Sequence, residues 1–231
     1  MKFEEILSIL EDYNNFEYFN VDNLPELEDL FKDYIEISIH CGMTKLVIDD
    51  SSLPFVIKLP FMGFWEYTGY DEEPMTHRES PQEYEWYSFN GANNNDISLC
   101  YWDYCEAEAA MYQEIEKNEN DYILNFFAET KRVSTFTTFP LYIQEKCKPS
   151  HKLFSIQETR ITQNIYKHYN LESNCNIQWL TDVREQYGED ILIELLMVLR
   201  TYNIRDLHGD NVGYNYNTGK LIIFDYSSYF D

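Results

Sequence analysis

IRDLHGDNVGYNYNTGKLIIFDYS, residues 204–227, is the stretch whose reading decides the fold. It opens with a polar loop, Ile204-Arg205-Asp206-Leu207-His208-Gly209-Asp210-Asn211. The next segment, NVGYNY-NTG-KLIIF, reads as two strands around the turn Asn217-Thr218-Gly219. Such a hairpin returns the chain, so that Asn211 at its start and Asp225 at its end face one cleft. Taken singly these residues have plainer readings. Asp206 and Asp210 serve as loop caps, Asp225 as a strand-end turn residue and His208 as an exposed loop histidine.

Working outward, Glu189–Tyr202 (EDILIELLMVLRTY) predicts a buried helix, apolar nearly all round, that delivers this loop. Phe154–Tyr169 predicts another helix, after Lys148-Pro149. Glu106–Lys117 (EAEAAMYQEIEK) is helix material with few β-branched residues. Phe126-Phe127 with Val133–Phe136, and Leu141–Gln144, predict strands. Tyr34–His40 alternates apolar and polar residues, Gly42 offers a turn, and Lys45–Ile48 and Phe55–Leu59 flank a turn-rich DDSS, giving three antiparallel strands. Ile6, Leu7, Leu10 and Tyr13 share a helical face, and Leu24-Pro25 with Leu27, Leu30, Phe31 and Tyr34 predicts a second short helix. Residues 61–103 have no clear period and read as a long loop or insertion, with turn chemistry at Asn90-Gly91 and Asn93-Asn94-Asn95. Loops of that length inside a domain are functional or poorly ordered.

The 231 residues carry 17 Lys+Arg against 41 Asp+Glu, a net charge of −24, with 44% hydrophobic and 17% aromatic residues. So much apolar material excludes a disordered acidic tail. The charge argues against direct binding to nucleic-acid backbones or anionic membranes and leaves a basic protein partner or imitation of a nucleic acid. It is concentrated: residues 1–36 hold 11 acidic and 2 basic side chains, and residues 61–108 hold 11 and 1, so the two blocks carry −19 of the −24. A solvated acidic face is one reading of these blocks. Interleaved aromatics in the second favour a binding surface with Asp71, Glu72, Glu73, Glu83, Glu85 and Trp86 as its candidates. The five cysteines (Cys41, Cys100, Cys105, Cys147, Cys175) form no tight pairs, which fits a reducing compartment and lacks zinc-ligand spacing. MKFEEILSILEDY does not read as a signal peptide, and no apolar run approaches a membrane span. A soluble, cytoplasmic protein is expected.

Arg205-Asp206-Leu207 with Asn211, followed by Asp225-Tyr226-Ser227, resembles the protein-kinase catalytic loop HRDLxxxN and the later DFG. A second register is open: His208-Gly209-Asp210 with Asn215 resembles the HGDxxxxN of aminoglycoside-phosphotransferase-like kinases. The spacing from Asn211 to Asp225 suits a hairpin better, which favours Asp206 and Asn211. The resemblance implies that Asp206 accepts or orients an attacking hydroxyl and that Asn211 and Asp225 hold Mg²⁺ against the phosphates of ATP. Upstream, Phe55-Val56-Ile57-Lys58 resembles VAIK, whose lysine pairs the phosphates. Glu108, with Glu106 as fallback, stands where the family carries the lysine's partner. Tyr142–Lys146, including Glu145, resembles the strand and hinge whose backbone reads adenine. The implied fold is α+β and kinase-like with two lobes. An antiparallel-sheet N-lobe with one helix (34–148, insertion 61–103) precedes a truncated, mostly helical C-lobe (149–231), after an acidic helical extension (1–33).

The sequence departs from the family in three places. The glycine-rich loop is reduced to Cys41-Gly42-Met43-Thr44, leaving Gly42 as its one glycine. Ile204 and Ser227 replace the histidine of HRD and the glycine of DFG. Only six residues follow Asp225, so the peptide-docking platform of ordinary protein kinases is not expected. Three functions follow. One is an ATP- and Mg²⁺-dependent phosphotransferase. Another is an acidic binding protein on a kinase-like scaffold, masking a basic surface such as that of a nucleic-acid-binding enzyme. The third is a nucleotide-binding pseudokinase. The small, acidic, Tyr-, Asn- and Ile-rich make-up resembles a phage or mobile-element product that inhibits a host defence or nucleic-acid enzyme, which would act in the host cytoplasm.

Overall fold

The structure is a computed structural model and describes residues 2–13, 24–41, 45–60, 64–68, 76–78, 97–99, 104–133, 140–150, 168–169, 171 and 175–226. Gly42, Asp71, Glu72, Glu73, Glu83, Glu85, Trp86 and Ser227 lie outside these residues, as do the turns at 90–95 and nearly all of the helix expected over 154–169. Two units divide the chain, each mixing helices with antiparallel strands.

The first unit comprises Met1–Leu53, Ile57–Cys105 and Val133–Tyr142. Helix α1 (Phe3–Tyr13) buries Ile6 and Leu10, one turn apart, and leaves Glu4, Glu5, Glu11 and Asp12 exposed. Helix α2 (Leu24–Phe31) buries Leu27 and Phe31. This i, i+4 spacing gives each helix one apolar stripe. Strands β1 (Ile37–Cys41), β2 (Lys45–Asp50) and β3 (Phe55–Pro60) form the expected antiparallel meander, with Ile39 opposite Ile48 and Val47 opposite Lys58.

Residues 61–103 depart from the sequence expectation of an aperiodic loop. Strand β4 (Phe64–Thr68) is the centre of a three-stranded antiparallel sheet, flanked by β5 (Thr76–Arg78) and β6 (Ile97–Leu99). FWEYT is rich in residues that favour a pleated backbone. Glu66 pairs with both Thr76 and Leu99, far apart in sequence, so no local period announces the sheet.

The second unit comprises Pro54–Val56, Glu106–Arg132 and Ile143–Asp231. It holds most of α3 (Tyr104–Asn118), then α4 (Asp121–Leu124), whose cap Asn120 accepts the Ile123 N–H at 3.0 Å. Strands β7 (Thr130–Arg132) and β8 (Tyr142–Glu145) are followed by β9 (Cys147–Pro149), helices α5 (Ile177–Tyr187) and α6 (Glu189–Thr201), and the expected hairpin β10 (Val212–Asn215) and β11 (Leu221–Ile223). The hairpin pairs antiparallel and extends to β9 in the order β11-β10-β9. A single core joins Trp179, Leu180 and Val183 of α5, five residues of α6, and Val212, Leu221, Ile222 and Ile223 of the hairpin.

Two local expectations differ. Phe126-Phe127 is a turn rather than a strand. The chain drops off α4 there, and only a bridge to Ile223 forms, with Ile223 N–H donating to Phe126 O at 2.7 Å. Helix α6 is not buried on all sides, because Met197 is 59% and Ile193 40% exposed. Its inner face alone, through Leu192, Leu195, Leu196, Val198 and Leu199, meets the core. Among the described residues no helix is long and apolar enough to cross a membrane.

Candidate functional site

The loop that opened the reading begins at the end of α6. Asn203 takes a left-handed conformation (φ 57°), Ile204 N–H donates back to Leu199 O at 2.8 Å and Asn203 N–H to Arg200 O at 3.3 Å. This is the helix-stop pattern in which the residue after the left-handed one packs on the last turn. Ile204 (2% exposed) and Leu199 (0%) share the core, so the residue in place of the family's histidine is an apolar helix stop.

Three contacts then hold the loop. Leu207 is fully buried, and its carbonyl accepts the Asn176 N–H at 2.8 Å. Asn176 in turn caps α5 through the Trp179 N–H (3.0 Å) and donates Nδ2–H to Ser150 O (2.7 Å). Ser150 N–H is shared by the carbonyls of Gly209 (3.0 Å) and Val212 (2.9 Å). A side chain at Gly209 would come within 2.5 Å of Ser150 O, and one at Gly213 would overlap Lys148 O. Both glycines are therefore required where the loop and β10 lie on β9. Trp179 completes the clamp, its indole N–H donating to Gly213 O at 2.9 Å.

On this support the structure brings Asp206, Asn211 and Asp225 together through Asn211. Its Nδ2–H donates to Asp206 O at 3.0 Å, and its own carbonyl accepts Phe224 N–H at 2.9 Å and Asp225 N–H at 3.4 Å. Asn211 is 8% exposed, while Asp206 and Asp225 are partly exposed. Asn215 of the other register does something else. Its Oδ1 accepts the N–H groups of Asn217 and Thr218 (3.0 and 2.9 Å), closing the hairpin turn, and its Nδ2–H donates to Glu145 at 3.2 Å.

His208 sits beside Asp206, with Nε2 3.5 Å from Oδ2. Asp210 N–H donates to His208 Nδ1 at 3.1 Å, which leaves the ring proton of the neutral form on Nε2, toward Asp206. Beneath the loop Cys175 is fully buried, and burial together with the Asp206 charge pushes its thiol well above the ordinary range. Among the described residues no three His, Cys, Asp or Glu side chains form a ready-made cation cluster.

Lys58 and Glu108 belong to different units, and each is buried, at 3% and 0% exposure. Lys58 is therefore not a surface strand lysine. Glu106 is half-exposed and meets Arg132 at 3.4 Å. Glu108 receives the Gln144 Nε2–H at 3.4 Å, and that nitrogen also donates to Thr130 Oγ1 at 2.7 Å. Thr130 Oγ1 lies 3.2 Å from the Tyr226 hydroxyl, which donates to Ala128 O at 2.6 Å. This buried chain, Glu108–Gln144–Thr130–Tyr226, was not foreseen as a unit. Tyr226 in place of the DFG phenylalanine was its one sequence signal.

The hinge-like segment is occupied by its own chain. Glu145 N–H donates to Glu129 O (3.1 Å), Lys146 N–H to Pro54 O (3.3 Å), and Lys146 O accepts Tyr216 N–H (2.8 Å). No family model, curated protein or solved structure matches the chain.

Proposed function

We propose that the second unit carries a kinase-like phosphotransferase centre for a Mg²⁺-nucleotide, with Asp206 orienting the attacking hydroxyl and Asn211 and Asp225 as cation ligands. The observation that carries this reading is the double use of Asn211, which ties the RDLxxxN-like loop to the strand end bearing Asp225. The donor chemistry fits. With Nδ2 turned to Asp206 O, the amide oxygen is the atom left for a hard cation, and Asp225 adds a carboxylate. Mg²⁺ draws its remaining ligands from phosphate and water, so a large protein cluster is unnecessary. When bound, the ion would neutralise charge on the transferring phosphoryl group. Asp206 would hold the acceptor hydroxyl, with His208 fixing its carboxylate. The resemblance also assigns Lys58 and Glu108 to the phosphates; both side chains are buried.

Because the amides of Glu145 and Lys146 are committed within the chain, recognition falls on the triphosphate rather than the base edge. Thermal stability is therefore expected to rise similarly with Mg-ATP and Mg-GTP, by about 2.7 kcal/mol at 100 times Kd. Asp225→Asn should abolish the shift. Asp206→Asn should keep it while removing nucleotide hydrolysis or autophosphorylation; a wild type that binds without turnover is the pseudokinase. No shift with either nucleotide at millimolar concentration overturns the reading.

The exposed carboxylates of α1 and α2 support a second reading, an acidic surface for a basic partner. Binding of that kind weakens steeply with salt. Affinity unchanged by neutralising Asp71, Glu72, Glu73, Glu83 and Glu85 would remove these five residues from it.

A further inference from the structure

The second unit has a cleft of about 200 Å³ to which Asp206, Asn211 and Asp225 contribute nothing. Phe127 and Ile222 give it an apolar wall, and Tyr112, Glu145, Asn215 and Lys220 supply polar groups. Of its three charged side chains, Glu129 is paired with Lys131, and the other two, Glu145 and Lys220, are of opposite sign and unanswered. Glu145 accepts only neutral donors, the Glu129 N–H at 3.1 Å and Asn215 Nδ2–H at 3.2 Å. Among the described residues neither Glu145 nor Lys220 has an ion pair.

A half-buried carboxylate whose hydrogen bonds come only from neutral donors attracts an ammonium. A ligand carrying only a cation would meet repulsion from Lys220, and one carrying only an anion would meet Glu145. We propose that this cleft binds the zwitterion of a free α-amino acid, with its ammonium on Glu145, its carboxylate on Lys220 and an aliphatic side chain against Phe127 and Ile222. The volume suits a molecule of that size rather than a nucleotide. Tyr112 provides a neutral donor at the same place. Its hydroxyl is pushed up to about 12 by burial and by the charges of Glu129, Glu116 and Glu145, so it stays protonated at any physiological pH. The inference concerns the Glu145 side chain and stands apart from the phosphotransferase reading.

Calorimetric titration of the full chain at low salt tests it, with L-leucine as probe. N-acetyl-L-leucine lacks the ammonium and L-leucine amide lacks the carboxylate. Each is expected to bind about tenfold more weakly than L-leucine, as loss of one charge-assisted contact implies. Lys220→Met should erase the preference for L-leucine over its amide, and Glu145→Gln the preference over the N-acetyl form. Lys220 is exposed, so its variant folds even where loss of the Glu145 contacts unsettles the other. The proposal is overturned by no L-leucine binding at about 10 mM, by equal binding of the three ligands, or by an unchanged preference in Lys220→Met.

Discussion

Replacing Tyr226 by phenylalanine removes a single oxygen from a fully buried chain of hydrogen bonds. The side chain is 1% exposed, its ring meets Phe127 edge-on at 5.5 Å, and phenylalanine fills the same space. The hydroxyl donates to Ala128 O at 2.6 Å and contacts Thr130 Oγ1 at 3.2 Å. Without it, Ala128 O keeps only the long 3.4 Å bond from Thr130. Two buried hydrogen bonds at about 1 kcal/mol each give a destabilisation of about 2 kcal/mol. Thr130 retains the Gln144 donor at 2.7 Å, which keeps the cost below the full penalty of an orphaned hydroxyl. Urea unfolding of Tyr226→Phe beside Tyr214→Phe is the assay. Tyr214 donates to Asp182 at 2.8 Å but is only half-buried, so water compensates and about 0.5 kcal/mol is expected there. A Tyr226→Phe cost below about 0.5 kcal/mol, or equal costs for the two variants, refutes the argument from buried bonds.

Gly213→Ala should cost about 3 kcal/mol, since its methyl group would overlap the Lys148 carbonyl within a paired strand, where neither backbone can retreat cheaply. A wild-type urea midpoint for this variant would show that β9 and β10 are less closely held. Alkaline pH is expected to destabilise the protein. Burial, then the Asp206 charge, raises Cys175, and burial, then the Glu108 charge, raises Tyr226. In the unfolded chain the thiol and phenol ionise near their ordinary values of 9.0 and 10.0, while the folded protein keeps both protons. Stability is therefore complete below about pH 9 and falls as pH climbs through 9 to 10 and above. Urea midpoints from pH 7 upward check this; a flat profile to pH 10.5 contradicts it.

What was legible in the sequence was local. The hairpin announced itself because its turn and both strands lie within 12 residues, and the β1–β2–β3 meander because its turns are short. Helices α1, α2, α3 and α6 showed their period or composition. What escaped depends on partners remote in sequence. Strand β9 is three residues long, ends in Pro149, and is a strand only because Gly213 admits its backbone. The β4–β6 sheet is held by pairings across about 30 residues that read as loop. Of the site, Asp206, Asn211 and Asp225 were named from the resemblance to the kinase motifs. The clamp of Asn176, Ser150 and Trp179 was not, because a capping asparagine and a buried tryptophan carry no motif until the loop they hold is known.

Ile204 and Tyr226, which differ from the kinase motifs HRD and DFG, have structural roles. Ile204 in place of histidine is the apolar residue that the stop of α6 needs, packed with Leu199. Tyr226 in place of phenylalanine keeps the aromatic ring and adds the hydroxyl that reaches Ala128. Both substitutions lie in the scaffold and are buried. The polar groups that phosphoryl transfer would use, the carboxylates of Asp206 and Asp225, retain solvent access. These two differences therefore weigh little against the phosphotransferase reading. The internally bonded hinge weighs more, because it removes the contacts that would select adenine. Comparing Mg-ATP with Mg-GTP is for that reason the measurement closest to the question.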